Sequence, residues 1–481
     1  MNNTKLVLVL KTLDNTELKQ FSEYLGCSYF NTNQSLVHLL DKLAGHWPDF
    51  TDEACGKERI FRKLFPGEPF KAERIRYLSS ELLDQLERFL AFSVYQKRTS
   101  QQHYYLLTEL YARGLDNLFE IRLKEAEKYL TKQETELWNL HAQFLIDDIQ
   151  IDHLQHKYLG QEFMISKKSD YTGSLTSLNA FYLLYSLKLQ SVFLTHSSIY
   201  SHEKKLALDH LEKIIEILRG EQKNIPKVVE MYIINTRLLA RQEEEDYIRL
   251  KDFVFSDELD NIHKFDQQNF FTTISGYCRN KYAEGDLGYL QKTLSAYKAI
   301  ILKKLFLQNG FMPPVLFSNI VMLSIDAKEA NLAEKFIKEY AKFLPPEQSE
   351  SVVGFCMANI SYCKKEYKSA LSYLKNARYE SPLRQMAIKN LLLKIYFDKG
   401  EHESVLPLID SYKHAIKQIG LLSEKSKAQF SKFIQYFQKL YKLRSGPDKS
   451  KLEPLYKAIE KEKNLAQKIW LLEKTAELMR R

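Results

Sequence analysis

Ala333-Glu334-Lys335-Phe336-Ile337-Lys338-Glu339-Tyr340-Ala341-Lys342-Phe343-Leu344-Pro345 and Ala370-Leu371-Ser372-Tyr373-Leu374-Lys375-Asn376-Ala377-Arg378-Tyr379-Glu380-Ser381-Pro382 are one pattern written twice, 37 residues apart. In each, an alanine is followed after 4, 3 and 5 positions by an apolar or small residue, a second such residue and a proline. Steps of three and four keep side chains on one face of a helix. Twelve residues before each alanine stands another compact residue, Val321 or Ala358. The spacing predicts a pair of helices per unit. Alanine lets the two approach closely, the larger residues fill the space beside them, and proline ends the second helix.

A third unit follows 35 residues on, carried by Tyr396, Gly400, Val405, Ile409 and Tyr412. It departs from the first two: Lys417 stands where the proline is expected, and Pro407 lies inside the second helix. From about Val315 to Gly420 the pattern resembles the tetratricopeptide repeat, which has small and aromatic residues in its first helix and alanine, large apolar, alanine and proline in its second. That resemblance implies a stack of helix hairpins, a solenoid, whose first helices line a concave groove. It places Asn359, Tyr362, Asn390, Lys394 and Phe397 on that groove, where amides and ammonium groups hold a peptide backbone or carboxylate and aromatics pack its side chains.

Upstream, helical segments come in pairs from Leu178 to His196 and Glu203 to Arg219 (with Gly220 as a stop), then from Val228 to Ala240. A less regular stretch follows the acidic run Glu243-Glu244-Glu245-Asp246, and a last pair spans Phe270–Ala283 and Leu287–Leu307 across Gly285-Asp286. Before them a polar run, Lys167 to Ser174, marks a boundary. The first hundred residues read as a separate helical module. Asp14 with Glu17 forms a capping box, and Leu18, Phe21 and Leu25 form one apolar face. Leu36, Leu39, Leu40 and Leu43 form a second, Ile60, Phe61, Leu64 and Phe65 a third. Ile75, Leu78, Leu82, Leu86 and Phe89 form a fourth. Ser28-Tyr29-Phe30-Asn31 and Lys63-Leu64-Phe65-Pro66-Gly67 resemble modules of uncharacterised bacterial proteins, which implies no function. The expected organisation is all-α. An N-terminal module covers 1–98, a helical connection 99–173, a solenoid 174–444 and basic helices 445–481, split by Ser445-Gly446-Pro447.

Composition agrees. Glycine (16) and proline (12) together make up about 6% of the 481 residues, roughly half the usual share, which leaves little material for the turns of a β-protein. The apolar run Leu6–Leu10 is broken by Lys11, too short for a signal-peptide core or a membrane span. Five scattered cysteines (Cys27, Cys55, Cys278, Cys356, Cys363) suit a reducing cytoplasm. Cys356 and Cys363 are seven apart on one predicted helix, about 10.5 Å along its axis, beyond disulfide reach.

Motifs for chemistry are sparse. His153 and His156 with Asp148 and Asp152 hold possible zinc ligands, but the His-Glu-x-x-His arrangement is missing and Asp148, Asp152 and His156 read as one solvated row. No phosphate-binding glycine loop and no Gly-x-Ser-x-Gly elbow is present. The formal charge of +9 resides at one end: residues 411–481 carry 17 Lys and Arg against 7 Asp and Glu. There Phe430, Phe433, Phe437 and Leu440 form a stripe among Lys432, Lys439, Lys442 and Arg444. Aromatics beside cations can stack bases, and the same stripe is the buried face of any amphipathic helix. The expectation is a non-enzymatic cytoplasmic scaffold without cofactor or metal that binds a protein or peptide. The alternative is a nucleic-acid-associated or regulatory protein using the basic end; no membrane partner is expected.

Overall fold

The protein is represented by a computed structural model that describes residues 4–51, 55–133, 136–157, 170–197, 216, 225–307, 310–375, 377, 381–418, 420, 422–445 and 449–480. The predicted helix Glu203–Arg219 except Glu216, its stop at Gly220, the start of the polar boundary at Lys167 and the break at Gly446-Pro447 lie outside the described residues. The fold is all-α: 22 α-helices and no β-strand occur among the described residues. None of these helices is long and apolar enough to cross a membrane. Contacts divide the chain into two units, residues 1–131 with 145–166 and residues 132–144 with 167–481.

The first unit opens with α1 (Lys5–Leu10), α2 (Asn15–Gly26), α3 (Gln34–Ala44), α4 (Lys57–Leu64) and α5 (Ala72–Lys97). The capping box at α2 is complete: Glu17 N donates to Asp14 Oδ1 at 2.8 Å, and Asp14 N donates to Glu17 Oε2 at 3.1 Å. Most of the four apolar faces are buried in one core, with Leu64 and Phe65 partly covered at its edge. α6 (Thr99–Ala112), α7 (Asp116–Leu130) and the later residues of α8 (Leu137–Lys157) close a second small core around Leu107, Phe119 and Ile146.

In the second unit the helices are α9 (Asp170–Ser197), α10 (Lys227–Arg241), α11 (Glu244–Val254), α12 (Lys264–Ala283), α13 (Tyr289–Leu302), α14 (Pro314–Asp326), α15 (Ala330–Tyr340), α16 (Pro346–Cys363), α17 (Tyr367–Lys375), α18 (Pro382–Lys399), α19 (His402–Gln418), α20 (Glu424–Ser445), α21 (Leu452–Lys461) and α22 (Lys468–Arg480). The stretch after the acidic run is a regular helix, α11. Glu244, Glu245 and Asp246 form its first turn, where carboxylates face the positive end of the helix dipole.

α12/α13, α14/α15, α16/α17 and α18/α19 are hairpins, and α14, α16 and α18 pack in succession, the order of a solenoid. Ala333, Ala358 and Ala370 are fully buried where the helices meet. One turn recurs. Gly285, Lys328, Lys365 and Gly400 have φ of 107°, 63°, 62° and 76°. The next residue's N–H then bonds back to Lys281 O, Ser324 O, Ser361 O or Tyr396 O, at 3.1, 2.8, 2.8 and 3.1 Å. This is the Schellman arrangement, which closes a helix end by capping an orphan carbonyl and needs a left-handed residue. Two lysines hold it where glycine is easier. The prolines do not end the second helices, which span Ala330–Tyr340 and Tyr367–Lys375; they open the next first helices, where Pro345 is the N-cap residue of α16. Pro346 and Pro382 begin α16 and α18 at the first helical position, where a missing N–H costs nothing.

The five cysteines are thiols: Cys27 and Cys363 exposed, Cys55, Cys278 and Cys356 buried. Burial raises the Cys278 thiol and pushes the Cys356 thiol up to about 12. Burial also raises the Cys363 thiol. An excess of Ellman's reagent at about pH 8, where an ordinary thiol is partly ionised, is therefore expected to titrate two thiols in the folded chain and five in guanidinium chloride. Cys363 should react more slowly than Cys27; rapid release of a third equivalent from the folded chain would contradict the packing.

Candidate groove and its resident helix

The expected groove residues sit on the first helices of two successive hairpins: Asn359 and Tyr362 on α16, and Asn390, Lys394 and Phe397 on α18. Three of them meet. Trp470 of α22 places its indole against Tyr362, Lys394 and Phe397. Trp470 Nε1 donates to Tyr362 Oη at 2.9 Å, Lys394 Nζ lies 5.8 Å from the indole centroid, and the Phe397 ring meets the indole edge-on at 5.5 Å. The other two take no part. Asn390 is buried, and its Oδ1 accepts from Tyr412 Oη at 2.8 Å. Asn359 Nδ2 donates to Phe355 O, one turn back on its own helix, at 2.9 Å. Phe397 is also buried, so it serves as the floor of the site.

Tyr362 and Asp398 work as a pair. Tyr362 Oη donates to Asp398 Oδ2 at 2.8 Å, which fixes the carboxylate with Oδ1 turned toward α22. Lys474 Nζ meets Oδ1 at 3.1 Å, and the two charged side chains are only 17% and 13% exposed. Burial pulls the Lys474 ammonium down, but Asp398 and Glu477 outweigh it and hold the group above its ordinary value. Burial likewise raises the Tyr362 hydroxyl, with the Asp398 charge adding to it. Nearby, burial lowers the Lys394 ammonium against the pull of Asp326, and raises the Asp326 carboxyl against the pull of Lys394 and a hydrogen bond from Tyr282. At the start of α22, Lys468 Nζ donates to Glu284 O, just past α12, at 2.9 Å and to Glu462 O at 3.1 Å. Helix α22 thus engages residues at the ends of α12, α16 and α18 through polar groups. Its apolar residues Trp470 and Leu471 share a core with α20 and α21.

Asp326, Asp398, Trp470 and Lys474 carry no repeat signature, and sequence reasoning passed over them. The available signal was chemical: a tryptophan that is to be buried needs an acceptor for its N–H.

The basic end is placed differently from a base-stacking surface. Phe433, Phe437 and Leu440 are fully buried and Phe430 partly, so the stripe is core. Lys432 pairs with Glu462 at 2.7 Å. Arg444 donates to Phe397 O and covers the Phe397 ring. Lys439 lies over Tyr436 at 5.3 Å. Lys442 edges a shallow recess of about 200 Å³ with His402, Leu406 and Tyr441, below the usual size of a ligand site. Asp148, Asp152 and His156 form an exposed row. His153 leaves that row, buried and stacked on Phe119 at 4.1 Å with Nε2 3.1 Å from Asp116 Oδ1. No group of three or more metal-ligating side chains occurs among the described residues. Compared with known proteins, the chain matches no family model, no curated sequence and no solved structure.

Proposed function

We propose that this chain is a cytoplasmic, non-enzymatic scaffold of tetratricopeptide type that binds a protein or peptide in the groove lined by α16 and α18. One observation carries the reading: polar side chains from successive first helices already grip a helix, through the Trp470–Tyr362 and Lys474–Asp398 contacts. A surface that holds one helix by directed hydrogen bonds and a half-buried ion pair has the equipment of a helix-in-groove binder. The hairpins α14/α15, α16/α17 and α18/α19, with α14, α16 and α18 packed in succession, support the tetratricopeptide assignment. Nucleic-acid binding loses its stacking platform with the burial of Phe433 and Phe437.

The test is a quantitative pull-down from native extract with the wild-type chain and with the Lys394→Ala/Asp398→Asn variant, which alters two side chains of the site. Loss of about tenfold or more of a captured partner, equivalent to about 1.4 kcal/mol, is expected in the variant. Equal recovery of every partner by the two chains would remove the groove from the assignment.

A further inference from the structure

We infer that the groove is selective for an amphipathic helix presenting an indole and, four residues later, an ammonium group, and that α22 occupies this seat in cis in competition with such a helix. The inference rests on the scaffold reading and names the partner chemistry of that same groove. The Tyr362–Asp398 pair is a preset acceptor. Its internal hydrogen bond leaves one oxygen lone pair on Tyr362 for an N–H and one carboxylate oxygen for a cation. The two acceptors come from neighbouring hairpins, 36 residues apart, so only a ligand lying across both satisfies them. Trp470 and Lys474 are one turn apart on α22 and fill both places.

Discrimination follows from the cost of an unfilled place. A phenylalanine in the indole position leaves Tyr362 Oη without its N–H donor, and a neutral residue in the lysine position leaves Asp398 half-buried without its cation. The connection into α22 is also consistent with exchange. Asn464 and Gln467 take φ of 55° and 57°, left-handed conformations that a residue with a Cβ such as Gln467 adopts at a steric cost. Seating α22 therefore works against a local backbone penalty that a helix arriving from outside does not carry.

The probe is a fluorescein-labelled synthetic peptide of the 13 residues Lys468–Arg480, added to the full-length chain and followed by anisotropy. Wild-type chain is expected to bind it weakly, because the resident helix reduces the open fraction. The Trp470→Ala/Lys474→Ala chain should bind at least about tenfold more tightly, the expected gain when a competing state is removed. Adding Asp398→Asn to that variant should reverse the gain, as should a peptide with phenylalanine in place of its tryptophan. Circular dichroism checks that the opened chain is folded. Lys474→Glu, which sets a like charge against Asp398 and keeps the indole in the core, is the second opening variant. The inference is overturned if folded, opened chains bind the peptide no better than wild type. It is equally overturned if Asp398→Asn or the phenylalanine peptide leaves binding unchanged. Peptide binding together with no groove-dependent partner in extract would sink the scaffold and spare the selectivity. Groove-dependent partners recovered equally by wild-type and opened chains would do the reverse.

Discussion

Replacing Asp266 by alanine is expected to destabilise the second unit by about 3–5 kcal/mol, the range for removing one partner of a buried ion pair. Asp266 is wholly buried on α12. Lys188 of α9 reaches its Oδ1 at 2.7 Å, and Tyr232 of α10 donates to the same oxygen at 2.7 Å. Asn269 in turn donates to Tyr232 Oη at 2.9 Å. One carboxylate therefore anchors three helices. The size of the effect does not come from the Coulomb energy of the pair, which desolvation of both charges largely offsets. It comes from what is left behind: a Lys188 ammonium only 17% exposed, and a Tyr232 hydroxyl in a core that already raises it by burial. The control separates these accounts. Lys188→Met with Asp266→Leu removes both charges and should cost less than Asp266→Ala alone. Urea denaturation followed by circular dichroism and tryptophan fluorescence reads both. A loss below about 1 kcal/mol for Asp266→Ala, typical of exposed pairs, would mean that water reaches the site.

Much of the fold is legible in the sequence because local periodicity decides it. Leu36, Leu39, Leu40 and Leu43 are all buried, as steps of three and four require. Ala333 and Ala370 sit where hairpin helices touch, since a small residue is the only economical way to bring two backbones close. α11 escaped the reading because four consecutive acidic residues look like a break, whereas three of them are the helix's first turn. Lys328 and Lys365 escaped it as turn residues, because a left-handed lysine has no compositional mark and glycine does. The cluster around Trp470 was half legible. A position in a first helix gives the direction of a side chain, which places Tyr362, Lys394 and Phe397 together. What covers that face is set by a contact 108 residues away, and no period in the chain reports it. Asn390 shows the limit from the other side: an amide on the same helix is spent internally on Tyr412.

The Phe430–Leu440 stripe fits both a core and a base-stacking platform from sequence, and one substitution separates them. Phe437→Ala is expected to cost about 3–5 kcal/mol, the range for truncating a buried phenylalanine. Phe437 is fully buried. Its ring meets Phe397 at 5.8 Å, Phe433 at 5.9 Å, Trp470 at 6.0 Å and Tyr441 at 6.4 Å. It therefore joins α18, α20 and α22, and truncation leaves a cavity whose walls are rings that cannot easily collapse onto it. Each lost ring contact adds to the transfer cost. Because Trp470 stacks on Phe437, the loss should also move tryptophan fluorescence to longer wavelength before the main unfolding transition. Leu406→Ala is the matched control: Leu406 is 60% exposed, and its loss should stay within about 0.5 kcal/mol. A stacking platform predicts the opposite set of results. Phe437→Ala would then leave stability intact and weaken single-stranded nucleic acid by about 1–3 kcal/mol per stacked base. The ring cannot serve both roles, because a side chain with no exposed surface has no face to offer a base. A destabilised chain whose retention on a polyanion column is unchanged would assign the stripe to the core and leave the lysines around it as a solvated surface.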